Sequence, residues 1–340
     1  MNPRAPSLGW VMLLLLLASG CAAPFLTTLP PTATPIPPSP APTQTVTPSL
    51  TPTPLPSPTS TATPLPSPTV TLTPTPTPVI LIGAGDIAGC GEEGDEQTAA
   101  LLEREPQAAI FTAGDNVYDL GAAIEYKNCF GPSWGRFKDR IHPSPGNHDY
   151  MTNKGRPYYA YFGAAAGEPL KGYYSYDLGD WHIVALNTNC NEVGCGKESP
   201  EALWLRQDLQ NSTRRCSLLY WHHPRWSSGL AGTNGAISTF WKIAYEFGAE
   251  VVVNGHDHDY ERFAPQDGEG SADPLGVREF VVGTGGAYLR KFGEVQPNSE
   301  VRNSSTHGVL KLLLYPDRYQ WEFIPVEGGE FTDSGSGECH

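Results

Sequence analysis

Five clusters of metal-ligand residue types, each closing a strand, set the tightest limit on how this 340-residue chain can fold. Val79 to Ala84 runs into Gly85-Asp86, and Ala108 to Ala113 runs into Gly114-Asp115-Asn116-Val117-Tyr118. Gly146-Asn147-His148-Asp149 follows. Cys216 to Trp221 then leads into His222-His223-Pro224, and Glu250 to Asn254 into Gly255-His256-Asp257-His258. One Gly-Asp alone is an ordinary turn. A series of such clusters after successive strands carries weight, because α/β sheets bind ligands beyond the carboxyl ends of their strands.

The intervening segments fit that frame. Asp95 to Glu105 carries Ala99 and Leu102 at helical spacing, so the first two runs read as strand, helix, strand. Tyr173–Leu178 and Trp181–Leu186 flank Gly179-Asp180 as a β-hairpin. Ser199 caps a helix with Pro200 at its first position, running to about Leu209. A second helix covers Ile237–Phe247, and more strands are expected at Glu279–Gly283, Gly308–Leu314 and Tyr319–Pro325. Strands alternate with helices early and with hairpins later, which predicts an α/β sandwich with mixed sheets.

Composition separates this unit from what precedes it. No Asp, Glu, Lys or Arg occurs between Arg4 and Asp86, and residues 1–78 hold 21 of the 34 prolines. Residues 79–340 carry 21 basic and 36 acidic residues, a sum of −15. That unit is long enough to bury one full core. Its acidic excess argues against a nucleic-acid scaffold, which calls for surplus Lys and Arg. Residues 1–20 read as a signal peptide: Arg4 precedes the apolar run Leu8 to Ala18, about 16 Å long as a helix and too short to span a bilayer. Ala18-Ser19-Gly20-Cys21 resembles a bacterial lipobox, which implies lipidation of Cys21. Thr27 to Pro78 repeats Thr-Pro-Leu-Pro-Ser-Pro-Thr at 53–59 and 63–69. Its prolines forbid helix and ladder, leaving an extended spacer that reaches on the order of 160 Å. The expected organisation is a signal at 1–20, a lipid-anchored Thr/Pro-rich linker at 21–78 and a catalytic domain at 79–340. The chain is expected to be a monomeric cell-envelope lipoprotein facing outside the cytoplasm, touching the membrane through its anchor only.

The five clusters, in this order, resemble the blocks of the calcineurin-like metallophosphoesterases, and within them the purple acid phosphatases. Tyr118, three residues after Asp115, and Tyr260-Glu261-Arg262 after the last cluster match the purple subgroup. Many other members carry His where this chain has Ala88. The resemblance spans about residues 79–327 and implies a four-layer α/β/β/α sandwich with two mixed sheets. It places Asp86, Tyr118 and His258 on one metal, Asn147, His222 and His256 on the other, and Asp115 between them. A phenolate, carboxylate and imidazole suit Fe(III), and two imidazoles with an amide oxygen suit a divalent ion such as Zn, Fe or Mn. Two carboxylates and a phenolate total −3, so a trivalent–divalent pair leaves the site near +2 and a bound hydroxide lowers it to about +1. An acidic domain can thereby attract a phosphate. The implied activity is hydrolysis of small phosphate monoesters, acid phosphatase-like, with a metal-bound hydroxide as nucleophile. His148 is the candidate proton donor to the leaving group, and His223 and Arg225 are weaker candidates for phosphate contact.

Two alternatives share this reading of the residues. A phosphodiesterase or nucleotide hydrolase would use the same metals, with loops 187–198 and 225–236 deciding leaving-group size. A non-catalytic surface-binding lipoprotein would have no need of so complete a ligand set. His142, His182, His307 and His340 are read as structural. Gly283-Thr284-Gly285-Gly286 lacks the Lys-Ser/Thr of a phosphate loop and is read as close packing near the site. Cysteines other than Cys21 number six, which suggests three disulfides in an exported protein. Cys190 with Cys195, Cys90 with Cys129 and Cys216 with Cys339 is the preferred set among fifteen pairings.

Overall fold

The computed structural model describes residues 77–340. The expected signal peptide, Cys21 and nearly all of the linker lie outside the described residues. In chain order the strands are β1 (Val79–Ala84), β2 (Ala88–Gly89), β3 (Ala109–Ala113), β4 (Val117–Tyr118) and β5 (Ile141–Ser144). They continue with β6 (Tyr174–Leu178), β7 (Trp181–Ala185), β8 (Cys216–Tyr220), β9 (Val251–Asn254) and β10 (Tyr260–Phe263). The last are β11 (Arg278–Val282), β12 (Ser299–Asn303), β13 (Gly308–Leu314), β14 (Arg318–Pro325) and β15 (Asp333–Glu338).

Two mixed sheets result, with strand orders β15-β14-β13-β1-β3-β5 and β12-β10-β11-β9-β8-β7-β6. In the first, β1, β3 and β5 run parallel, and the remaining pairs are antiparallel. In the second, β7, β8, β9 and β11 form the parallel core. Strand periodicity explains the layering, since successive side chains point to opposite faces. Ile183, Leu218, Tyr220, Val251 and Val253 pack toward the first sheet's Leu81, Phe111 and Leu312. Their neighbours Val184, Leu219, Trp221 and Val252 face the other way, onto helices Pro200–Asn211 and Ser238–Glu246. Helix Gly94–Glu103 contributes Ala99, Leu101 and Leu102 to the first sheet's side of the core. This is the expected four-layer α/β/β/α arrangement. Ser199 caps its helix as expected, its Oγ accepting from Ala202 N at 3.2 Å.

Three disulfides join Cys90 to Cys129, Cys190 to Cys195 and Cys216 to Cys339. Six strands were not expected from the sequence: the two-residue β2 and β4, and β5, β10, β12 and β15. β5 contains Pro143 and sits at a sheet edge, where a missing N–H is tolerated. β15 reads Asp-Ser-Gly-Ser-Gly-Glu, with no apolar residue to mark it. It pairs because Gly335 and Gly337 lie flat on the rings of Trp321 and Tyr319, where a β-carbon would come within 2.3 and 2.4 Å. Among the described residues no helix is long and apolar enough to cross a membrane.

Candidate metal centre

The parallel strands β1, β3 and β5 of one sheet and β8 and β9 of the other end on the same side of the molecule. Asp86, Asp115, Asn147, His222, His256 and His258 follow those ends, and Tyr118 lies on the short β4. Backbone bonds weave the ends together. Asp86 N–H donates to Gly114 O at 3.0 Å and Gly255 N–H to His222 O at 3.0 Å. Gly85 N–H crosses between sheets to Val282 O at 2.9 Å, and His256 N–H crosses to Asp86 Oδ2 at 2.7 Å. The glycines of the clusters make this approach feasible. A β-carbon on Gly146 would sit 2.1 Å from Asp115 Oδ1, and one on Gly255 would sit 2.5 Å from Asp86 Oδ2.

All seven side chains named as ligands meet. Tyr118 Oη donates to Asp86 Oδ1 at 2.6 Å and lies 3.1 Å from both Asp115 Oδ2 and His258 Nε2. His258 Nε2 is 3.3 Å from Asp86 Oδ1. On the other side, His222 Nε2 lies 3.1 Å from Asn147 Oδ1, 3.2 Å from His256 Nδ1 and 3.2 Å from Asp115 Oδ2. Asp115 therefore touches both groups through one oxygen. Asp86, Asp115 and His222 are close enough to share an ion, as are His222, His223 and His256.

The imidazoles are set by their outer nitrogens. A carbonyl can only accept, so His222 Nδ1–H donates to Ala113 O at 2.9 Å and His258 Nδ1–H to Tyr288 O at 2.7 Å. Each then aims Nε2 into the cluster, the orientation found in metal-ligating histidines. These converging lone pairs fit a cation better than they fit one another. The titration of the clustered groups says the same. Burial works against a charged His222, yet Asp115 draws it up to about 9. Burial and then the neighbouring His222 press His256 down to about 4. Burial would raise Asp86, but His258 and His222 hold it below the ordinary range. Burial, Asp115 and Asp86 keep Tyr118 a phenol well above its usual range. A proton on His222 thus occupies a place suited to a metal.

His148 borders the cluster. Its Nδ1–H donates to Asp119 O at 2.6 Å, its Nε2 stands 3.9 Å from Asp115 Oδ2, and its side chain is 23% exposed. His223 lies at the Asn147–His256 flank, its Nδ1 held 2.8 Å from the Thr188 hydroxyl. Arg225 is turned elsewhere: its guanidinium stacks on Trp226 at 3.7 Å and its backbone N–H donates to Glu279. Tyr260 and Arg262, part of the motif that pointed to the purple subgroup, reach Asp333 on β15, each at 2.7 Å. They join the two sheets and lie away from the ligands. Gly283–Gly286 is close packing, since a β-carbon on Gly285 would meet Gly85 O at 2.5 Å. His182 bonds Asp177 and Asp208, His307 bonds Ala287 O, and His142 stacks on Tyr176.

Asp149 is the residue that sequence reasoning passed over. Buried, it accepts from Gly146 N–H, from Asn116 N–H and Nδ2–H, and from Tyr126 Oη, tying the second and third clusters together. It stood inside Gly-Asn-His-Asp, but nothing in the spacing separates a ligand from the group that holds ligands. Cys216, Glu250 and Cys339 also crowd together, but the sulfurs are joined in a disulfide and supply no thiolate.

With this geometry, the chain belongs to the calcineurin-like phosphoesterases, whose family profile matches residues 75–260. Purple acid phosphatase 22 of Arabidopsis thaliana is 26% identical over 247 residues, covering 64% of this chain and 55% of that protein. Acid phosphatase type 7 of Homo sapiens is 24% identical over 226 residues, 56% of this chain and 51% of that one. The chain spans about half the length of these curated relatives. The fold is similar to that of the purple acid phosphatase PPD1 from yellow lupin (Lupinus luteus) seeds. There the TM-score is 0.64 at 18% identity, covering 77% of this chain and 54% of that chain.

Proposed function

We propose that this protein is a dinuclear metal-dependent hydrolase of phosphate monoesters, acid phosphatase-like. The observation that carries the reading is Asp115. Its Oδ2 lies 3.1 Å from Tyr118 Oη and 3.2 Å from His222 Nε2, so one carboxylate serves two donor groups. Asp86, Tyr118 and His258 would hold a hard ion such as Fe(III), and Asn147, His222 and His256 a divalent one. Two such ions, when bound, would supply a nucleophile from water below neutral pH and would screen the charge of the phosphate. Around them the chain's own groups do the rest. Asp149 and the backbone of Asn116 and Gly146 fix the angle between the two donor sets. His148, its Nδ1–H committed to Asp119 O, is placed to pass a proton from Nε2 to the departing alkoxide when the ring carries both protons. His223, neutral in its buried flank, is placed to donate to a phosphate oxygen. Likeness to proteins named acid phosphatases supports the monoester preference.

The test combines elemental analysis, a visible spectrum and paired assays of p-nitrophenyl phosphate and its bis-ester. Two metals per chain and preference for the monoester are expected, with a tyrosinate–iron band that disappears in Tyr118→Phe. Fewer than two metals, or hydrolysis of neither ester, sinks the reading. Two metals in a colourless protein would move it to the wider family.

We further propose export and tethering: a signal at 1–20, a lipid on Cys21 and a linker to residue 78. The absence of charged residues between Arg4 and Asp86 supports this, as do three disulfides, which persist in oxidising compartments. Cys21→Ala should move the protein from the membrane fraction to the soluble one; retention on membranes would refute the lipid anchor.

A further inference from the structure

A cavity of about 350 Å³ opens against the Asn147–His223 flank of the centre. One wall is the short turn closed by the Cys190–Cys195 disulfide, and the opposite wall begins at Asn234. Its lining is amide and hydroxyl chemistry. Thr188 and Asn189 sit at the inner end, with Asn191 and Asn234 farther out. Glu192 adds a carboxylate, compensated by Lys154 Nζ at 3.2 Å. The lining's rings are Tyr150, whose hydroxyl is committed to Tyr159 and Asn187, and the His223 imidazole, whose Nδ1 is held by the Thr188 hydroxyl.

Some of these groups are spoken for and others are not. Asn189 Nδ2 donates to Asn187 Oδ1 at 3.0 Å and to Gly146 O at 3.2 Å, which anchors the turn beside the ligand loop. Asn234 Oδ1 accepts from Ala236 N–H at 2.9 Å, which leaves its amide hydrogens facing outward from that bond. Asn191 is exposed on the disulfide-closed turn.

We infer that this cavity takes the alcohol half of the ester and selects a neutral, polyhydroxylated one, the phosphate ester of a sugar or polyol. The inference rests on the proposed monoester hydrolysis at the adjoining centre. An apolar or aryl leaving group would strip water from the amides and give nothing back, and unmade bonds to polar groups discriminate strongly. A second anionic group would meet Glu192, with Lys154 already engaged. Hydroxyl groups, able both to donate and to accept, satisfy the lining.

The experiment compares kcat/KM for glucose 6-phosphate and p-nitrophenyl phosphate in the metal-loaded protein and in Asn191→Ala and Asn234→Ser. Serine keeps an acceptor for Ala236 N–H, so the second variant should fold; melting curves that match the parent check both. The ratio of sugar to aryl ester is expected to fall about fivefold in each variant, through a higher KM for the sugar ester, the effect of losing one neutral hydrogen bond. A ratio unmoved in both variants, or a native protein that cleaves the aryl ester and not the sugar ester, overturns the inference and leaves the metal centre standing. A native protein that cleaves neither ester overturns the centre and the inference with it.

Discussion

Asp86, Asp115 and His256 share a left-handed backbone, with φ of 58°, 46° and 73°. Residues with a β-carbon seldom adopt it, and each instance costs on the order of 1–3 kcal/mol. The conformation turns a side chain sharply off the end of its strand, which is how three ligand candidates from separate strands reach one point. His148 is different: it is a group beside the ligands, with one nitrogen committed and the other directed inward. His148→Ala should lower kcat about 10²- to 10⁴-fold while elemental analysis still finds two metals; unchanged turnover would strip His148 of its role. Away from the centre, burial raises the Glu279 carboxyl to about 8, even though it accepts from the N–H groups of Arg225 and Trp226. The folded state then holds a proton that the unfolded chain releases near pH 4.5, so this group's contribution to stability declines as pH rises from about 4.5 to about 8. Buried Glu250, raised to about 7, acts with the same sign. Melting temperatures should therefore drop between pH 5 and pH 8, and Glu279→Gln should make the drop shallower. A variant with the parent's pH profile would contradict the assignment.

Between the strands, glycine sets the closeness of the loops. A β-carbon on Gly146 meets both Asp115 Oδ1 and Asp115 N, at 2.1 and 2.2 Å, and backbone nitrogen cannot rotate away. Gly146→Ala should cost about 1–3 kcal/mol of stability and lower metal content along with activity. Full metal content in a stable Gly146→Ala protein would show that the loop has slack. The sheets were legible wherever burial leaves an apolar signature: β1 and β13 fall where the sequence reading set them, and β3, β8, β9 and β14 within a residue or so. β15 was illegible because its stability comes from aromatic rings on β14 and not from its own side chains. β10 was read as a motif, Tyr-Glu-Arg, and its strand character escaped notice. Four ligand candidates, Asp86, Asp115, Asn147 and His256, were legible because they repeat one device, a ligand type beside glycine, and Tyr118, His222 and His258 through the order of the clusters they stand in. Asp149, Thr188 and Asn234 follow no such device. Their positions matter through what they hold or face, which only the three-dimensional arrangement reveals.

The sum of −15 over residues 79–340 gave no warning of an anion-binding site, since a few buried groups decide the local field. Those groups come from both halves of the sandwich: Asp86, Asp115 and Asn147 from one sheet, His222, His256 and His258 from the other. Metal would bind the folded form alone, so removing it should destabilise the whole domain. At a free metal concentration of 100 times Kd the loss is about 2.7 kcal/mol, a fall of roughly 5–10 °C in Tm for a domain this large. A chelator that leaves Tm unmoved would mean that the ions do not bridge the halves. The crossing bonds from Gly85 to Val282 and from His256 to Asp86 add a further consequence. The centre lies on the seam of the molecule. Any change that lets one sheet slide over the other, even a methylene lost from the core far below, will reach the centre as a change in the distance between its two donor groups.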